Sequence, residues 1–371
     1  MTKKILFFLL LFSSISFSQN PKLSPSTEVS IFTCGRGDQL YSTFGHTALR
    51  IKDTENQLDV VYNYGTFDFR TENFYLKFVK GDLQYFMTAT SVDDFIMEYQ
   101  MDEREVIEQK LNLPLEKKQQ LFDNLNANLF STEKYYTYKF IDKNCTTMVA
   151  DKINGVFDKK LIEKVDDKSI TYRELLYPYF DDYFWYKLGI NIIFGAKTDA
   201  KAEKLFLPVE LLNSLDQTKV DGKPLVSDKK VMVKGSEKSV SFSFFNSIFV
   251  VISVLLFIVL INKRFMFLSY LFVCGILGIF LCLVGLYSQH QEVLWNYNAL
   301  LFSPLFVLLP FIKGRFLNKI VILNLFLLLI YIVVIITKPY LVLMIPFILT
   351  NLYILLKLKK KSQEKLLTSV E

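Results

Sequence analysis

The chain has 371 residues, of which 51% are hydrophobic and 15% aromatic, with a formal net charge of +6 and two histidines. The positive charge is concentrated at the two ends, so the long stretch between them is net acidic and offers no nucleic-acid footprint. Two histidines and four cysteines without paired ligand spacing exclude a His-rich zinc site.

The chain opens with Lys3 and Lys4, an apolar run from Ile5 to Phe12 and a small polar stretch from Ser13 to Ser18. That order is that of a secretory signal over residues 1–18, with cleavage near Ser18 and Gln19, followed by an exported α+β domain over 19–217. Residues 28–90 are rich in Val, Ile, Tyr, Phe and Thr, and alternate in period two over Thr47–Lys52 and Asp59–Tyr64. They predict strands, broken at Gly35–Asp38 and Asp53–Asn56. Between 91 and 130 the period changes: Phe95, Ile96, Tyr99, Val106, Ile107 and Leu111, then Leu121, Leu125 and Leu129, predict helices, the second opening after Pro114. A strand over Tyr135–Ile141 runs into a helix beginning at or just after Asn144, a favoured N-cap, with Met148, Val149 and Ile153 on its apolar face. Residues 218–240 read as a polar linker.

From residue 241 to 358 the chain turns apolar, and spans are predicted near 243–261, 265–287, 297–312, 320–337 and 340–356. Lys263/Arg264, Lys313/Arg315/Lys319 and the lysines that lead into the tail at 359–371 fall on one side of an alternating five-helix bundle. By the positive-inside rule that side is cytoplasmic, and the joints Ser288–Asn296 and Lys338-Pro339 face outward with the exported domain. The protein is therefore expected to be a multi-pass protein of the inner membrane, with the bilayer itself as a partner.

Two residues in the exported domain have the makings of a reactive pair. Cys145, in the first turn of a helix, gains from the helix dipole and free N–H groups, which lower a thiol pKa and can hold an oxyanion. His46 begins a strand and shares a face with Ala48 and Arg50, while Leu49 and Ile51 point the other way. An imidazole beside a thiol makes an activated nucleophile for acyl transfer or peptide hydrolysis. The competing reading is a non-enzymatic envelope scaffold with a Cys34–Cys145 disulfide, which an exported domain permits. In the outward joint, His290 and Trp295, with Asn298 just beyond, are candidates to line a site at the membrane surface, or simply to anchor it.

Gly45-His46-Thr47-Ala48-Leu49-Arg50, followed far downstream by Asn144-Cys145-Thr146-Thr147, resembles the circularly permuted NlpC/P60 (papain-like) order, in which histidine precedes cysteine. With Tyr62–Phe69, Asn73–Phe78, Thr171–Leu175 and Phe206-Leu207-Pro208, the sequence more closely resembles the Lnb-type lipoprotein N-acyltransferases of the Bacteroidota envelope, in which a periplasmic domain precedes a membrane domain. The resemblance implies Cys145 as nucleophile, His46 as base, and an orienting group on the next strand: Asn63, or Tyr64 close behind. Arg70 and Arg173 fall within family-like motifs as candidate substrate-binding residues. The implied activity is transfer of an acyl chain from a phospholipid, through a Cys145 thioester, to the α-amine of a diacylglyceryl-cysteine lipoprotein, with no cofactor. A cysteine peptidase or amidase acting on cell-wall peptides would use the same pair.

Overall fold

A computed structural model describes residues 20–157, 159–236 and 242–367. The expected signal segment, 1–18, lies outside the described residues. In chain order the elements are β1 (Glu28–Cys34), β2 (His46–Asp53), β3 (Leu58–Thr66), α1 (Phe74–Lys80), β4 (Gln84–Ser91), α2 (Val92–Met101), β5 (Val106–Leu111), α3 (Leu115–Leu129), β6 (Tyr135–Thr137), α4 (Cys145–Asn154), α5 (Tyr172–Leu176), α6 (Phe184–Ile193), α7 (Pro208–Gln217), β7 (Lys219–Val220), β8 (Lys223–Pro224) and β9 (Val226–Val233). A helical C-terminal part follows: α8 (Ile248–Ile261), α9 (Arg264–Tyr287), α10 (Asn298–Leu301), α11 (Gly314–Ile335) and α12 (Leu341–Leu367).

Seven strands form one antiparallel sheet in the order β6-β4-β3-β2-β1-β5-β9. Period two sorts its side chains. Val29, Ile31, Leu49, Ile51, Tyr62 and Tyr64 pack under α3, α4 and α7, whereas Phe32, Ala48 and Val61 meet Phe95 and Tyr99 of α2 on the other face. Arg50, on the second face, is buried and donates from Nε and Nη2 to Asp59 (2.7 and 2.6 Å) and from Nη1 to Glu108 (2.9 Å). It ties β2 to strands on either side.

Four expected elements differ: Phe74–Lys80, within the stretch 28–90 read as strands, is helix α1, and the strand expected over Tyr135–Ile141 stops at Thr137. Val106, Ile107 and Leu111 belong to strand β5, not to a helix, because α2 stops at Met101 and Glu103 takes a left-handed turn (φ 53°) that sends the chain back along β1. Within the expected linker, Val226–Val233 is the edge strand of the main sheet, paired with β5. Its polarity is that of an edge: Lys229 and Lys230 face solvent and discourage further strands.

In the C-terminal part three helices are long and apolar enough to cross a membrane, Arg264–Tyr287, Gly314–Ile335 and Leu341–Lys360. The first expected span is a shorter apolar helix, α8. The third is not one helix. After α10 the chain breaks at Ser303-Pro304 and resumes as a 3-10 turn over Pro304–Leu308, since proline cannot donate to the preceding turn. This segment lies against Gly275 and Gly278 of α9 so closely that a Cβ on Gly278 would stand 1.7 Å from the Phe302 carbonyl. Polar groups inside the helical part find each other: Asn351 donates to the Leu301 carbonyl (2.9 Å) and accepts from Tyr270 (2.9 Å), and Tyr331 donates to Asn298 (2.7 Å).

The two parts are bolted together. Phe184 and Leu188 of α6 pack with Val251 and Leu255 of α8. Trp185 Nε1 donates to the Phe245 carbonyl (2.8 Å). Both joints expected to face outward touch the α+β domain: Gly195 N donates to Glu292 O (2.7 Å), and Lys338 lies 3.6 Å from Asp199.

Candidate active site

Asn144 sits in extended backbone before α4 and caps it reciprocally. Its Oδ1 accepts from Thr147 N (3.0 Å), and Thr147 Oγ1 accepts from Asn144 N (2.9 Å). Its Nδ2 donates to the carbonyls of Phe140 (2.9 Å) and Phe206 (2.8 Å), so the cap is itself held by two loops. Cys145 is thus fixed as the first helical residue, where the N–H groups of Cys145 and Thr146 lie too early in the helix for an intrahelical carbonyl. Thr146 Oγ1 stands 3.1 Å from Thr47 Oγ1, which fastens the start of α4 to β2.

His46 is the first residue of β2, and its imidazole comes beside the Cys145 side chain: Cys145 Cβ and His46 Cε1 lie 3.7 and 4.0 Å from where a Cβ on Gly65 would stand. Its Nε2 lies 3.2 Å from Asn63 Oδ1, on the neighbouring strand β3, where Asn63 is paired with Ala48. A carboxamide oxygen only accepts, so Nε2 carries the hydrogen and Nδ1 is left to take the thiol proton.

Burial alone would push the Cys145 thiol up. The His46 imidazole, its hydrogen bond and the Thr47 N–H outweigh it and hold the thiol below its ordinary value. For His46, burial pulls the imidazole down, but the sulfur's charge and the hydrogen bonds to Cys145 and Asn63 leave it above its ordinary value. Both shifts favour a thiolate beside an imidazolium.

Gly65 lets the backbone approach this pair. The pairing of β3 with β4 shifts between Asn63 and Thr66, and Gly65 in the bulge has φ +97°, a conformation that disfavours any side chain. A Cβ there would stand 3.7 Å from Cys145 Cβ and 4.0 Å from His46 Cε1. The Tyr136 hydroxyl lies 4.0 Å from the same point at Gly65, Tyr138 stacks on Tyr85 behind it, and burial, reinforced by the thiolate's charge, keeps both phenols protonated. The arrangement can deprotonate a thiol, hold the resulting imidazolium, and offer helix N–H groups to an oxyanion. Among the described residues no cluster of His, Cys, Asp or Glu could hold a metal.

The other expected site residues lie elsewhere. Tyr64 points to the opposite face of β3 from Asn63, buried, with its hydroxyl donating to Asn128 Oδ1 (3.0 Å). Arg70 is exposed and forks onto Asp68 at 2.8 to 3.2 Å. Arg173 is buried, paired with Asp199 (3.0 Å), bonded to Asn191 and stacked over Tyr340 at 4.4 Å. Asn298 is a buried strut whose Nδ2 donates to the Asn191 and Ile192 carbonyls. Trp295 is 84% exposed, on a left-handed backbone. His290 donates from Nε2 to the Phe78 carbonyl (2.9 Å) and lies flat on Gly81, so it closes the end of α1 instead of facing the thiol. Cys34 and Cys145 are both free. Cys34 is buried against Tyr99, and burial pushes its thiol up to about 12.

Gly65, the Thr47–Thr146 contact and the two tyrosines did not emerge from the sequence. Only Gly65 left a signal there, as a glycine interrupting an aromatic and β-branched run.

Residues 20–177 match the family model described as the Lnb N-terminal periplasmic domain. No curated protein and no solved structure matches the chain.

Proposed function

We propose, for a chain that belongs to the Lnb-type family through its N-terminal periplasmic domain, that it is a membrane-bound thiol acyltransferase acting on lipoproteins. The observation that supports this reading is the placement of His46 beside Cys145 at the first turn of α4, both side chains lying within 4 Å of where a Cβ on Gly65 would stand. A histidine strand preceding a cysteine helix is consistent with a permuted NlpC/P60 domain. We read residues 1–18 as a removed signal, the α+β part as periplasmic, and the helical part as crossing the inner membrane with its basic joints in the cytoplasm.

In the first half-reaction His46 Nδ1 takes the Cys145 proton and the thiolate adds to a phospholipid ester carbonyl. The oxyanion is held by the N–H groups that open α4, and collapse expels the lysophospholipid alkoxide, which takes the proton from His46. In the second, the α-amine of a diacylglyceryl-cysteine terminus attacks the thioester. His46 removes its proton and returns it to the departing thiolate, leaving an amide and free enzyme. Asn63 keeps the imidazole in the required tautomer throughout. Both substrates keep acyl chains in the bilayer, which gives a reason for fixing this pair close to several membrane helices.

The test is expression of wild type and Cys145→Ser in a strain lacking its own lipoprotein N-acyltransferase, followed by mass spectrometry of lipoprotein N-termini. A third acyl chain in wild type alone is expected. Equal acylation in both would remove Cys145 from the reaction.

A further inference from the structure

Between β3 and β4 the chain carries a surface that the transfer chemistry does not use. Phe69, Tyr75 and Leu76 are 59%, 76% and 61% exposed, and Phe78 and Val79 beside them are also exposed. An apolar patch of this kind on an exported domain asks for a partner.

Its position names one. Lys77 O at the end of α1 is met by Gly81 N and Asp82 N, but the three carbonyls that follow it all accept from the joint after the spanning helix α9. Ser288 Oγ donates to Val79 O (2.7 Å), Gln289 N to Lys80 O (2.6 Å) and His290 Nε2 to Phe78 O (2.9 Å). Lys139 Nζ joins the Gly81 carbonyl (3.2 Å) to Gln289 Oε1 (3.3 Å). The patch is therefore held at the level where α9 ends, continuous with Leu286 and Tyr287, which are themselves exposed. Aromatic residues with nearby lysines, here Lys77 and Lys80, suit the layer of lipid headgroups and upper acyl chains.

A second observation runs from the patch to the sulfur. Phe69 and Phe74 have ring centroids 4.9 Å apart, Phe74 and Phe67 5.8 Å, Phe67 and Tyr85 5.2 Å, and Tyr85 and Tyr138 4.5 Å. This aromatic lane also passes from Tyr85 to Tyr136 (6.5 Å), whose hydroxyl stands 4.0 Å from where a Cβ on Gly65 would lie, a point 3.7 Å from Cys145 Cβ; Phe67 follows this bulge glycine by two residues.

We propose that α1 and Phe69 dock into the outer leaflet next to α9 and admit one acyl chain of a bilayer phospholipid along the aromatic lane toward Cys145. The docking stands on the geometry alone; the route to Cys145 rests on the acyl-transfer reading.

The test uses the full chain in vesicles of phosphatidylethanolamine and phosphatidylglycerol carrying alkyne-tagged acyl chains. A benzoyl-phenylalanine photoprobe at Leu76 is expected to crosslink to tagged lipid. The same probe at Glu55, in the turn at the far end of β2 from His46, is expected to give none. Leu76→Asp is expected to lower transfer from phospholipid by about tenfold, the effect of losing one buried apolar side chain, while Cys145 still reacts with a small alkylating agent at the wild-type rate. Absence of lipid at Leu76, or capture of protein in its place, overturns the docking. Lipid capture with unaltered transfer by Leu76→Asp overturns the route. A wild type without transfer activity overturns the acyl-transfer reading and leaves the crosslink as the measure of docking.

Discussion

Cys34 and His46 are paired across β1 and β2, yet the imidazole lies beside a different thiol, that of Cys145, while the Cys34 sulfur is buried against Tyr99. The two thiols therefore differ in reactivity. A water-soluble maleimide applied to the native protein without reductant is expected to label Cys145 and leave Cys34 unmodified, as read by peptide mass spectrometry. A scaffold bridged between these cysteines would give no label at either until reduced.

The same pair sets a pH dependence. Cys145 is held below its ordinary value of 9.0 and His46 above 6.5. Transfer should fail on the acid side as the thiolate takes a proton, and on the alkaline side as the imidazolium loses the one the leaving group needs. His46→Ala removes the imidazole that does most to lower the thiol and leaves only the Thr47 N–H and the Thr146 hydroxyl against burial, which raises it. The inflection in Cys145 alkylation against pH is then expected to move upward, with a slower reaction at pH 7.

Asn63 acts through the imidazole. Asn63→Ala is expected to lower transfer by roughly tenfold, the worth of one buried hydrogen bond, while Asn63→Asp keeps an acceptor opposite Nε2 and restores most of it. Unchanged rates in Asn63→Ala would leave the tautomer to be fixed by something else.

Arg173 tests the junction between the two parts. Arg173→Ala leaves Asp199 buried without its main partner, a loss of about 3 to 5 kcal/mol for a broken buried pair. Lys338 stays 3.6 Å from that carboxylate, so the lower end is expected. Lysine is no substitute, because Arg173 spends its fork on Asp199, Asn191 and two carbonyls at once. Thermal unfolding of the full chain in detergent reads the loss, and Cys145 alkylation by a small reagent should not change.

Much of the site was legible because local rules place it. Period two puts His46 on the face of Ala48, and Asn144 with Thr147 makes a cap that announces where α4 begins. Alternation also separates Asn63 from Tyr64, once the buried hydroxyls of Tyr62 and Tyr64 are seen to reach Asn126 and Asn128 on α3. Where the reading failed, the determinant was distant in sequence. Val106 and Ile107 fit a helical spacing from Tyr99 as well as a strand, and only pairing with β1 decides between them. Nothing near His290 in sequence shows that its ring will lie on Gly81 and close α1. The five apolar runs were visible by composition, but the break at Ser303-Pro304 depends on two glycines in α9 that admit a non-helical backbone.

That break bears on biosynthesis. A stretch whose Leu301 carbonyl is satisfied by Asn351, and whose bend nests against Gly278, cannot be left alone in hydrocarbon. On the proposed membrane reading, it has to wait at the translocon or the interface until α12, made later, supplies the missing donor. On that reading this stretch completes its insertion only after α12 is made, and truncation before Asn351 should strand the third apolar run outside the bilayer.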